Sequence, residues 1–472
     1  MIPYYDDHPR EECGVVGVFA PNEDVARMAF FGLFALQHRG QEAAGIAVAD
    51  GQAMSIHKDV GLITQIFRPE TFERLKGHYA IGHTRYSTTG SSAARNAQPF
   101  MIETMHGPLA LAHNGNLVNS AKLRQQLLKD GVGLSSSSDT EVMTMMLARS
   151  PGKTWNERIK ACMKDWQGAY SLVIMTRDCV YAARDPWGFR PLSIGMLPQG
   201  GYAAASETGA LQTLGCEAIR EVNPGEIVTL SKNALIVYQA IKPAKLSARC
   251  IFEFIYFARP DHVWDGQSVH HVRQRLGEEL AKETNAEADV IVPVPDSSIP
   301  AAIGFSRATK IPFNDGFIKN RYIGRTFIEP TDSLRKQGVA LKFNVITENV
   351  LDKRLILIDD SIVRGNTMGP MIKMLRNAGA KEVHVAITCP PIAHPCFMGV
   401  DMGNYDDLIA HKRSIDEIRK HIKADSLTYL SLDGMMRAVG RNDGYCQACF
   451  TGKYLFDVGI FSEKTGFEKC TK

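Results

Sequence analysis

The chain has 472 residues, of which 44% are hydrophobic and 22% charged, a balance typical of folded globular proteins. It is too long for one hydrophobic core, so two or three domains are expected. The 54 Lys and Arg residues against 51 Asp and Glu residues give a net charge of +3, which by itself indicates no polyanion-binding role.

The first twelve residues, MIPYYDDHPREE, have neither a basic start nor an apolar stretch, and the chain contains no run of 18 apolar residues. These features predict no secretory signal and no membrane span. We therefore expect a cytoplasmic protein. In that compartment the ten cysteines are expected to be thiols, metal ligands or nucleophiles rather than disulfides.

The first half predicts short strands separated by turns, with helices between them. Asp24 to Gln37 carries apolar side chains at helical spacing, and Thr140 to Ala148 follows Asp139, which we predict to be an N-cap. The predicted strands begin at Cys13, Ala43, His78, Pro108 and Ala169. Strands and helices without regular alternation predict stacked layers of sheet and helix.

Cys13 lies where a polar stretch meets the first predicted strand, directly before Gly14. Three interpretations are open: a small buried hydrophobic residue, the nucleophile of a Cys-His-Glu amidase, or an N-terminal nucleophile. The second would place the cysteine in a Gly-x-Cys-x-Gly elbow, which the sequence lacks. In the third, removal of residues 1–12 would give Cys13 a free α-amine of pKa about 8, able to accept the thiol proton.

Three later segments resemble, in order and residue type, the glutaminase domain of the class II glutamine amidotransferases. They are HTRYSTTG from His83, AHNGNL from Ala112 and SSSSDTEV from Ser135. The same family is matched by CGVVG from Cys13, QHRGQEAAGIA from Gln37 and RDPWGFRPL from Arg184. The resemblance implies an αββα sandwich of the N-terminal nucleophile hydrolase type, with Cys13 as the nucleophile.

The resemblance also implies roles for individual residues. Arg85 would bind the α-carboxylate of glutamine and Asp139 its α-ammonium. The Asn114 side-chain amide and the Gly115 backbone N–H would stabilise the oxyanion formed when the Cys13 thiolate attacks the amide. Because one branch of the family carries a short propeptide ending before this cysteine, residues 1–12 are expected to be removed. This half would then release glutamate and ammonia through a γ-glutamyl thioester.

After about Pro243 the sequence changes to an order of buried strand, small-residue loop and helix. Two segments show this order: ADVIVPVPDSSIPAAIGFS from Ala288 and RLILIDDSIVRGNTMGPMIKMLRNAGA from Arg354. The second segment continues into a strand near Val383. This is the βαβ unit of a parallel sheet. We place the domain boundary near Lys242 to Ser247, with residues 13–244 as one domain and 245–472 as the other.

LILIDDSIVRGNT, from Leu355, places two adjacent acids after an apolar strand, before a loop of small residues and a helix expected to begin near Asn366. Loop amides and a helix N-terminus suit a phosphate, and paired carboxylates suit ribose hydroxyls and Mg²⁺. A Walker-type ATP loop is absent from the sequence. These residues resemble the 5-phosphoribosyl-1-pyrophosphate (PRPP) signature of the type I phosphoribosyltransferases, an α/β fold with a parallel sheet.

This second resemblance implies a PRPP site with one Mg²⁺ per subunit. Ser297, in the loop from Val292 to Ala302, is expected near the metal together with Asp359 and Asp360. The two acids would also bind PRPP, along with Ser361, Arg364, Gly365, Asn366 and Thr367. Segments 319–330 and 335–344 resemble a loop that closes over the substrate. Its candidate residues are Arg321, Tyr322 and Lys336. For each of them, the alternative is a solvated loop residue with no role in substrate binding.

Four cysteines are candidates for a metal centre. Cys446 and Cys449 form CQAC, Cys250 begins the second half, and Cys396 follows the last predicted strand. Four thiolates suit either zinc or a [4Fe–4S] cluster, and their spacing does not decide between them. The propeptide-bearing branch that the chain resembles carries the iron–sulfur cluster at these positions. A structural cluster is therefore expected, with structural Zn²⁺ as the alternative.

Joined, the two halves resemble the amidophosphoribosyltransferases. This implies conversion of PRPP, glutamine and water into 5-phosphoribosylamine, glutamate and pyrophosphate, the first committed step of purine synthesis. An amidotransferase with another acceptor would need a sugar-isomerase domain or an ATP loop, and a PRPP-binding regulator would have no use for Cys13. Family members are typically homotetramers inhibited by purine nucleotides, and we expect both properties here. No nucleic-acid or membrane partner is expected.

Overall fold

The first strand, β1 (Gly14–Phe19), is buried at every position in the computed structural model, which describes residues 13–86, 93–232, 234–320, 342–402 and 404–458. Alternate residues of a strand point to opposite faces of its sheet. Val16 and Val18 accordingly pack in one apolar core, whereas Val15 and Phe19 pack in a second. The strand is therefore covered on both faces.

The strands of the N-terminal half form two antiparallel sheets that stack on each other through the core containing Val15 and Phe19. After β1 these strands are β2 (Ala43–Ala49), β3 (Met54–Val60), β4 (Tyr79–Arg85), β5 (Phe100–Thr104), β6 (Gly107–Leu117), β7 (Gly168–Thr176), β8 (Val180–Arg184), β9 (Ser193–Met196), β10 (Tyr202–Ala205), β11 (Glu217–Glu221), β12 (Glu226–Leu230) and β13 (Leu235–Gln239). The strand orders are β11-β9-β10-β1-β4-β2-β3 and β13-β12-β8-β7-β6-β5.

Helices cover the outer faces of both sheets. They are α1 (Val25–Ala35), α2 (Ile63–Ile66), α3 (Pro69–Arg74), α4 (Ser120–Lys129), α5 (Asp139–Arg149), α6 (Trp155–Met163) and α7 (Thr208–Thr213). Helix α1 packs on the first sheet and α5 on the second, which places an apolar core between each helix layer and its sheet. The predicted αββα sandwich is therefore confirmed.

The C-terminal half has a parallel sheet in the order β17-β20-β21-β22, formed by β17 (Val290–Pro293), β20 (Arg354–Asp359), β21 (Glu382–Ile387) and β22 (Ser426–Tyr429). Short two-stranded pairs surround it, formed by β14 (Arg249–Cys250), β15 (Val263–Trp264), β16 (Gln267–Ser268), β18 (Phe317–Lys319), β19 (Phe343–Val345) and β23 (Tyr445–Cys446). The predicted parallel sheet is confirmed. Strand β22 was not predicted, because its four residues, SLTY, have no apolar run.

The helices of this half include both predicted βα helices. They are α8 (Val269–Glu283), α9 (Ile299–Thr309), α10 (Thr347–Val350), α11 (Met368–Asn377), α12 (Ile409–Lys412), α13 (Ile415–Ile422), α14 (Leu432–Val439) and α15 (Ala448–Thr451). Helix α11 begins two residues after the predicted position, so residues up to Thr367 belong to the loop. Among the described residues, no helix has the length and apolar character needed to cross a bilayer.

Candidate active sites

Cys13 directly precedes β1, which lies between β10 and β4, and its side chain is buried. The Cys13 Sγ donates a hydrogen bond to the Tyr86 carbonyl at 3.3 Å. Burial raises the pKa of the Cys13 thiol to about 11. At neutral pH the thiol is therefore protonated, and attack on a carbonyl carbon requires a base that removes the proton.

A buried arginine that sequence analysis did not single out holds the backbone of Cys13. The Arg39 Nε donates to the Cys13 carbonyl at 3.1 Å, and the guanidinium bonds Glu207 and Glu253 at 2.6 Å each. Burial opposes the charged form, but the two carboxylates hold the pKa of Arg39 above its usual value. Arg39 lies in the QHRGQEAAGIA motif, so the motif itself was the available signal.

Two predicted residues of opposite charge, Arg85 and Asp139, lie near the Cys13 thiol, as does Glu42. Arg85 is the last residue of β4 and Asp139 the first of α5, both are nearly fully buried, and both act electrostatically on the thiol. Asp139 was predicted as an N-cap, but Ser138 caps the helix, its side chain accepting from the Thr140 N–H at 3.2 Å.

The Asp139 carboxylate instead contacts residues of β6. Its Oδ2 accepts from the Leu117 N–H at 3.1 Å and lies 3.6 Å from His113 Nδ1. Burial disfavours the ionised Asp139 carboxylate and so tends to raise its pKa. His113 and the backbone N–H groups outweigh this effect and hold the pKa of Asp139 below its usual value. A buried carboxylate that stays ionised beside a buried arginine suits a zwitterionic ligand.

Near the end of β6, Asn114 and Gly115 lie beside this pocket. Asn114 is 1% exposed, and its Nδ2 has no hydrogen-bond partner among the described residues. An unpaired buried donor is costly, so such groups commonly serve a ligand. Gly115 has φ +142°, and a Cβ there would collide with the Ala169 carbonyl, so glycine is required.

In the C-terminal half, β20 ends at Asp359, and the acid pair lies at the carboxyl edge of the sheet, where ligands of parallel sheets bind. Asp359 accepts from the Ser298 hydroxyl at 3.1 Å, and Asp360 accepts from Ser297 at 2.6 Å and Ser361 at 2.7 Å. The predicted Ser297 therefore contacts the acid pair.

The acid pair is a candidate cation site. Among the described residues, no three His, Cys, Asp or Glu side chains are grouped closely enough to hold a metal ion. Two carboxylates nevertheless fit Mg²⁺, because that ion keeps several waters and is usually held by one or two carboxylates together with substrate phosphates.

The residues after the acid pair form the loop that leads to α11. Arg364, Gly365, Asn366 and Thr367 precede the helix, and Gly365 has φ +76°. The three candidates of the closing loop, Arg321, Tyr322 and Lys336, lie outside the described residues, as do residues 1–12. Lys319, just before that loop, bonds Asp296 at 2.7 Å and so reaches the Ser297 loop.

The structure brings the four predicted cysteines to one cavity, which is lined by Cys250, Cys396, Cys446, Cys449 and mostly apolar side chains. Cys250 and Cys446 pair directly across β14 and β23. Burial raises the pKa of these two thiols, to about 12 and about 11. Four sulfurs in an apolar cavity fit a thiolate-bound metal group, which must displace the thiol protons when it binds.

Two family models match the chain in the order of its two halves. The model described as the glutamine amidotransferase domain matches residues 83–213. The model described as the phosphoribosyl transferase domain matches residues 266–418.

Curated relatives named amidophosphoribosyltransferase match almost the whole chain. The relative from Synechococcus elongatus is 49% identical over 454 residues, which cover 95% of this chain and 92% of the relative. The relative from Bacillus subtilis is 47% identical over 459 residues, which cover 95% of each chain.

Two solved structures share the fold over nearly the full length at 45% identity. One is described as the structure of the allosteric regulatory enzyme of purine biosynthesis, with a TM-score of 0.91 over 97% of this chain and 99% of that one. The other is glutamine PRPP amidotransferase from B. subtilis complexed with ADP and GMP, with a TM-score of 0.90 over 96% of this chain and 100% of that one.

Proposed function

We propose that Cys13 and the acid pair Asp359–Asp360 divide one reaction between them, because this chain belongs to the amidophosphoribosyltransferase family. It is a glutamine PRPP amidotransferase and catalyses the first step of purine biosynthesis. The proposed domains are residues 13–244 for glutamine cleavage and 245–472 for phosphoribosyl transfer. The observation that carries the proposal is the buried pair of opposite charges, Arg85 and Asp139, beside the Cys13 thiol.

At the glutamine site, Arg85 binds the α-carboxylate and Asp139 the α-ammonium, which places the side-chain amide against Cys13. The sulfur attacks the amide carbon, and the resulting oxyanion is stabilised by the Asn114 Nδ2 and the Gly115 N–H. Collapse of this intermediate breaks the carbon–nitrogen bond while the α-amine of Cys13 passes the proton taken from the thiol to the departing nitrogen, which releases ammonia and leaves a γ-glutamyl thioester. Water then hydrolyses the thioester to glutamate.

The proton of the thiol is removed by the α-amine that Cys13 gains once residues 1–12 are cleaved. In the structure the Cys13 thiol donates its hydrogen bond to the Tyr86 carbonyl, and a peptide carbonyl is not a base that can take the proton. An α-amine of pKa about 8 on the same residue supplies the missing base near neutral pH. We therefore place this chain in the propeptide-bearing branch of the family.

The active protein is expected to begin at Cys13. Intact-mass measurement and N-terminal sequencing of the purified protein should find residues 1–12 absent. A variant lacking residues 2–12, in which the initiator methionine directly precedes Cys13, should be active once that methionine is removed. An active chain that retains its first twelve residues would contradict the proposed base.

At the PRPP site, Asp359 and Asp360 bind the ribose hydroxyls and hold one Mg²⁺, with Ser297 beside them. The loop Ser361, Arg364, Gly365, Asn366 and Thr367 binds the phosphate through its N–H groups and side chains. Arg321, Tyr322 and Lys336 belong to the loop that closes over PRPP. Asp359 and Asp360 would hold Mg²⁺ there, and the ion would supply positive charge to the pyrophosphate leaving group. Closure excludes water, so that ammonia attacks the sugar carbon.

We propose a structural [4Fe–4S] cluster on Cys250, Cys396, Cys446 and Cys449. The fit is supported by the four sulfurs that line one cavity. Thiolates bind both zinc and [4Fe–4S] clusters, and the resemblance to the propeptide-bearing branch favours the cluster.

Anaerobically purified protein is expected to be brown and to contain about four iron atoms and four acid-labile sulfides per chain. Cys446→Ser should lose colour and iron. Cys179→Ser, which replaces a half-buried cysteine outside the cavity, should keep both. Stoichiometric zinc in a colourless preparation would instead support the alternative metal.

The related structure from B. subtilis is a complex with ADP and GMP, which supports inhibition of this chain by purine nucleotides. A homotetramer and a cytoplasmic location are proposed from the family resemblance.

A further inference from the structure

The segment Phe397–Gly399 of the C-terminal half lies against the strand that carries Asn114 and Gly115. Within it, the Phe397 carbonyl accepts a hydrogen bond from Asn116 Nδ2 at 2.9 Å. The Met398 carbonyl accepts from the guanidinium of Arg190 at 2.6 Å and 3.2 Å. We call these three residues the docking segment. Two consecutive carbonyls are thus bonded by side chains of the glutaminase half.

Gly399 makes the closest approach of the docking segment to the proposed oxyanion donors. Its φ is +107°, and a Cβ built on it would lie 2.9 Å from the Gly115 carbonyl carbon and 3.0 Å from the Gly115 Cα. Such distances are below ordinary van der Waals contact, so only glycine lets the two backbones meet without displacement.

Gly115 is also confined by β7. A Cβ at Gly115 would collide with the Ala169 carbonyl of β7. Ala169 also packs with Met398, Phe189 and Ala248 in a small apolar core between the two halves. Gly399 meets the Cα and carbonyl carbon of Gly115, so the placement of the Gly115 backbone, which carries the proposed N–H donor, depends on how the docking segment sits.

We propose that the docking segment positions the oxyanion donors, so that glutamine cleavage requires the C-terminal half to be docked through Gly399. Cys396 adjoins the segment, and its sulfur accepts a hydrogen bond from the Met398 N–H at 3.3 Å. The cysteine cavity and the oxyanion donors are thus joined by a stretch of four residues. This inference rests on the proposed roles of Asn114 and Gly115, and Gly399 acts through Gly115 without touching substrate.

The test is Gly399→Ala, compared with Gly440→Ala. Gly440 also has a positive φ, +70°, but a Cβ there meets nothing within 4 Å, so it controls for an alanine at a positive φ without the close backbone contact. Gly399→Ala should lower kcat for glutamine hydrolysis by about a hundred-fold, because a small misplacement of reacting groups has effects of that size. The KM for glutamine and ammonia-dependent synthesis should be unchanged, and Gly440→Ala should behave as the parent.

The aldehyde analogue of glutamine separates positioning from general damage. The Cys13 thiol adds to the aldehyde carbonyl, with the sulfur bonding the carbon and the proton going to the oxygen. The product is a tetrahedral thiohemiacetal whose oxygen occupies the oxyanion position. Its inhibition constant should rise in Gly399→Ala by the factor by which kcat falls, because both report the same donors. Parent-like kcat and inhibition constant, or equal losses in Gly440→Ala, would overturn the inference.

Two further variants keep the outcome decisive. If Gly399→Ala also loses ammonia-dependent synthesis, the test passes to Asn116→Ala, which removes the hydrogen bond to the Phe397 carbonyl and is measured in the same way.

Asn114→Ala separates the inference from the proposed function. If it loses glutamine hydrolysis and aldehyde affinity while the docking variants do not, only the inference fails. If Asn114→Ala has no effect, the proposed oxyanion donor is wrong.

Discussion

Replacing Cys13 with alanine is expected to abolish glutamine use and to leave synthesis from free ammonia at the parental level. The change removes the only proposed nucleophile of the glutamine site. Loss of a catalytic nucleophile commonly lowers kcat by more than about a thousand-fold. The replacement is small and lies in a buried position, so the β-sandwich should tolerate it.

The measurement compares two rates on one preparation. Glutamate release with glutamine as donor should fall below detection, while pyrophosphate release from PRPP with ammonium chloride should match the parent. Cys162→Ala, which removes a buried cysteine from α6 in the same half, serves as the matched control and should retain both rates. Loss of ammonia-dependent synthesis in Cys13→Ala would contradict two separate sites.

Much of the candidate site was predictable because its residues lie at the ends of elements with clear patterns. Arg85 ends β4 and Asp359 ends β20. The apolar run of β20 stops directly before Asp359, whereas β4 ends in polar residues that belong to the HTRYSTTG motif. The Asp139 prediction was correct in placing the residue at a helix start and wrong in making it the cap. Two neighbouring polar residues can each cap a helix, and only the backbone conformation, extended at Ser138, decides between them.

The contacts between the two halves were not predictable. Arg39 bonds Glu253 across 214 residues of sequence, and the partnership depends on how two independently patterned domains dock. Gly399 shows the same limit, because its close approach to Gly115 follows from that docking and leaves no periodic signal. Local pattern thus located the candidate site residues, whereas the contacts that position them became visible only in three dimensions.

Asp360→Asn is expected to lower both glutamine-dependent and ammonia-dependent synthesis by about a hundred-fold or more. The amide keeps the size of the side chain, so the buried position should still be filled. It removes the charge that would hold Mg²⁺ and exchanges one acceptor oxygen for a donor that faces Ser297 or Ser361. A bound cation that stabilises leaving-group charge contributes several kcal/mol to a transition state, and much of this should be lost.

The experiment measures PRPP binding by calorimetry with and without Mg²⁺, together with both synthesis rates. Asp433→Asn, at an exposed position in the first turn of α14, is the control and should not change any of these quantities. Alkylation of Cys13 by a glutamine-like reagent in the absence of PRPP should proceed in Asp360→Asn as in the parent, because the proposed glutamine pocket lies in the other half. Parental PRPP binding would exclude the acid pair from that site.

Together the two substitutions distinguish a two-site enzyme from the alternatives. Cys13→Ala should lose only the glutamine-dependent rate, whereas Asp360→Asn should lose both rates, since ammonia from either source needs PRPP as acceptor. A PRPP-binding regulator would show neither loss, because it would have no synthesis rate to change. A single shared active site would make the two variants indistinguishable, since the acceptor and the nucleophile would then occupy one pocket.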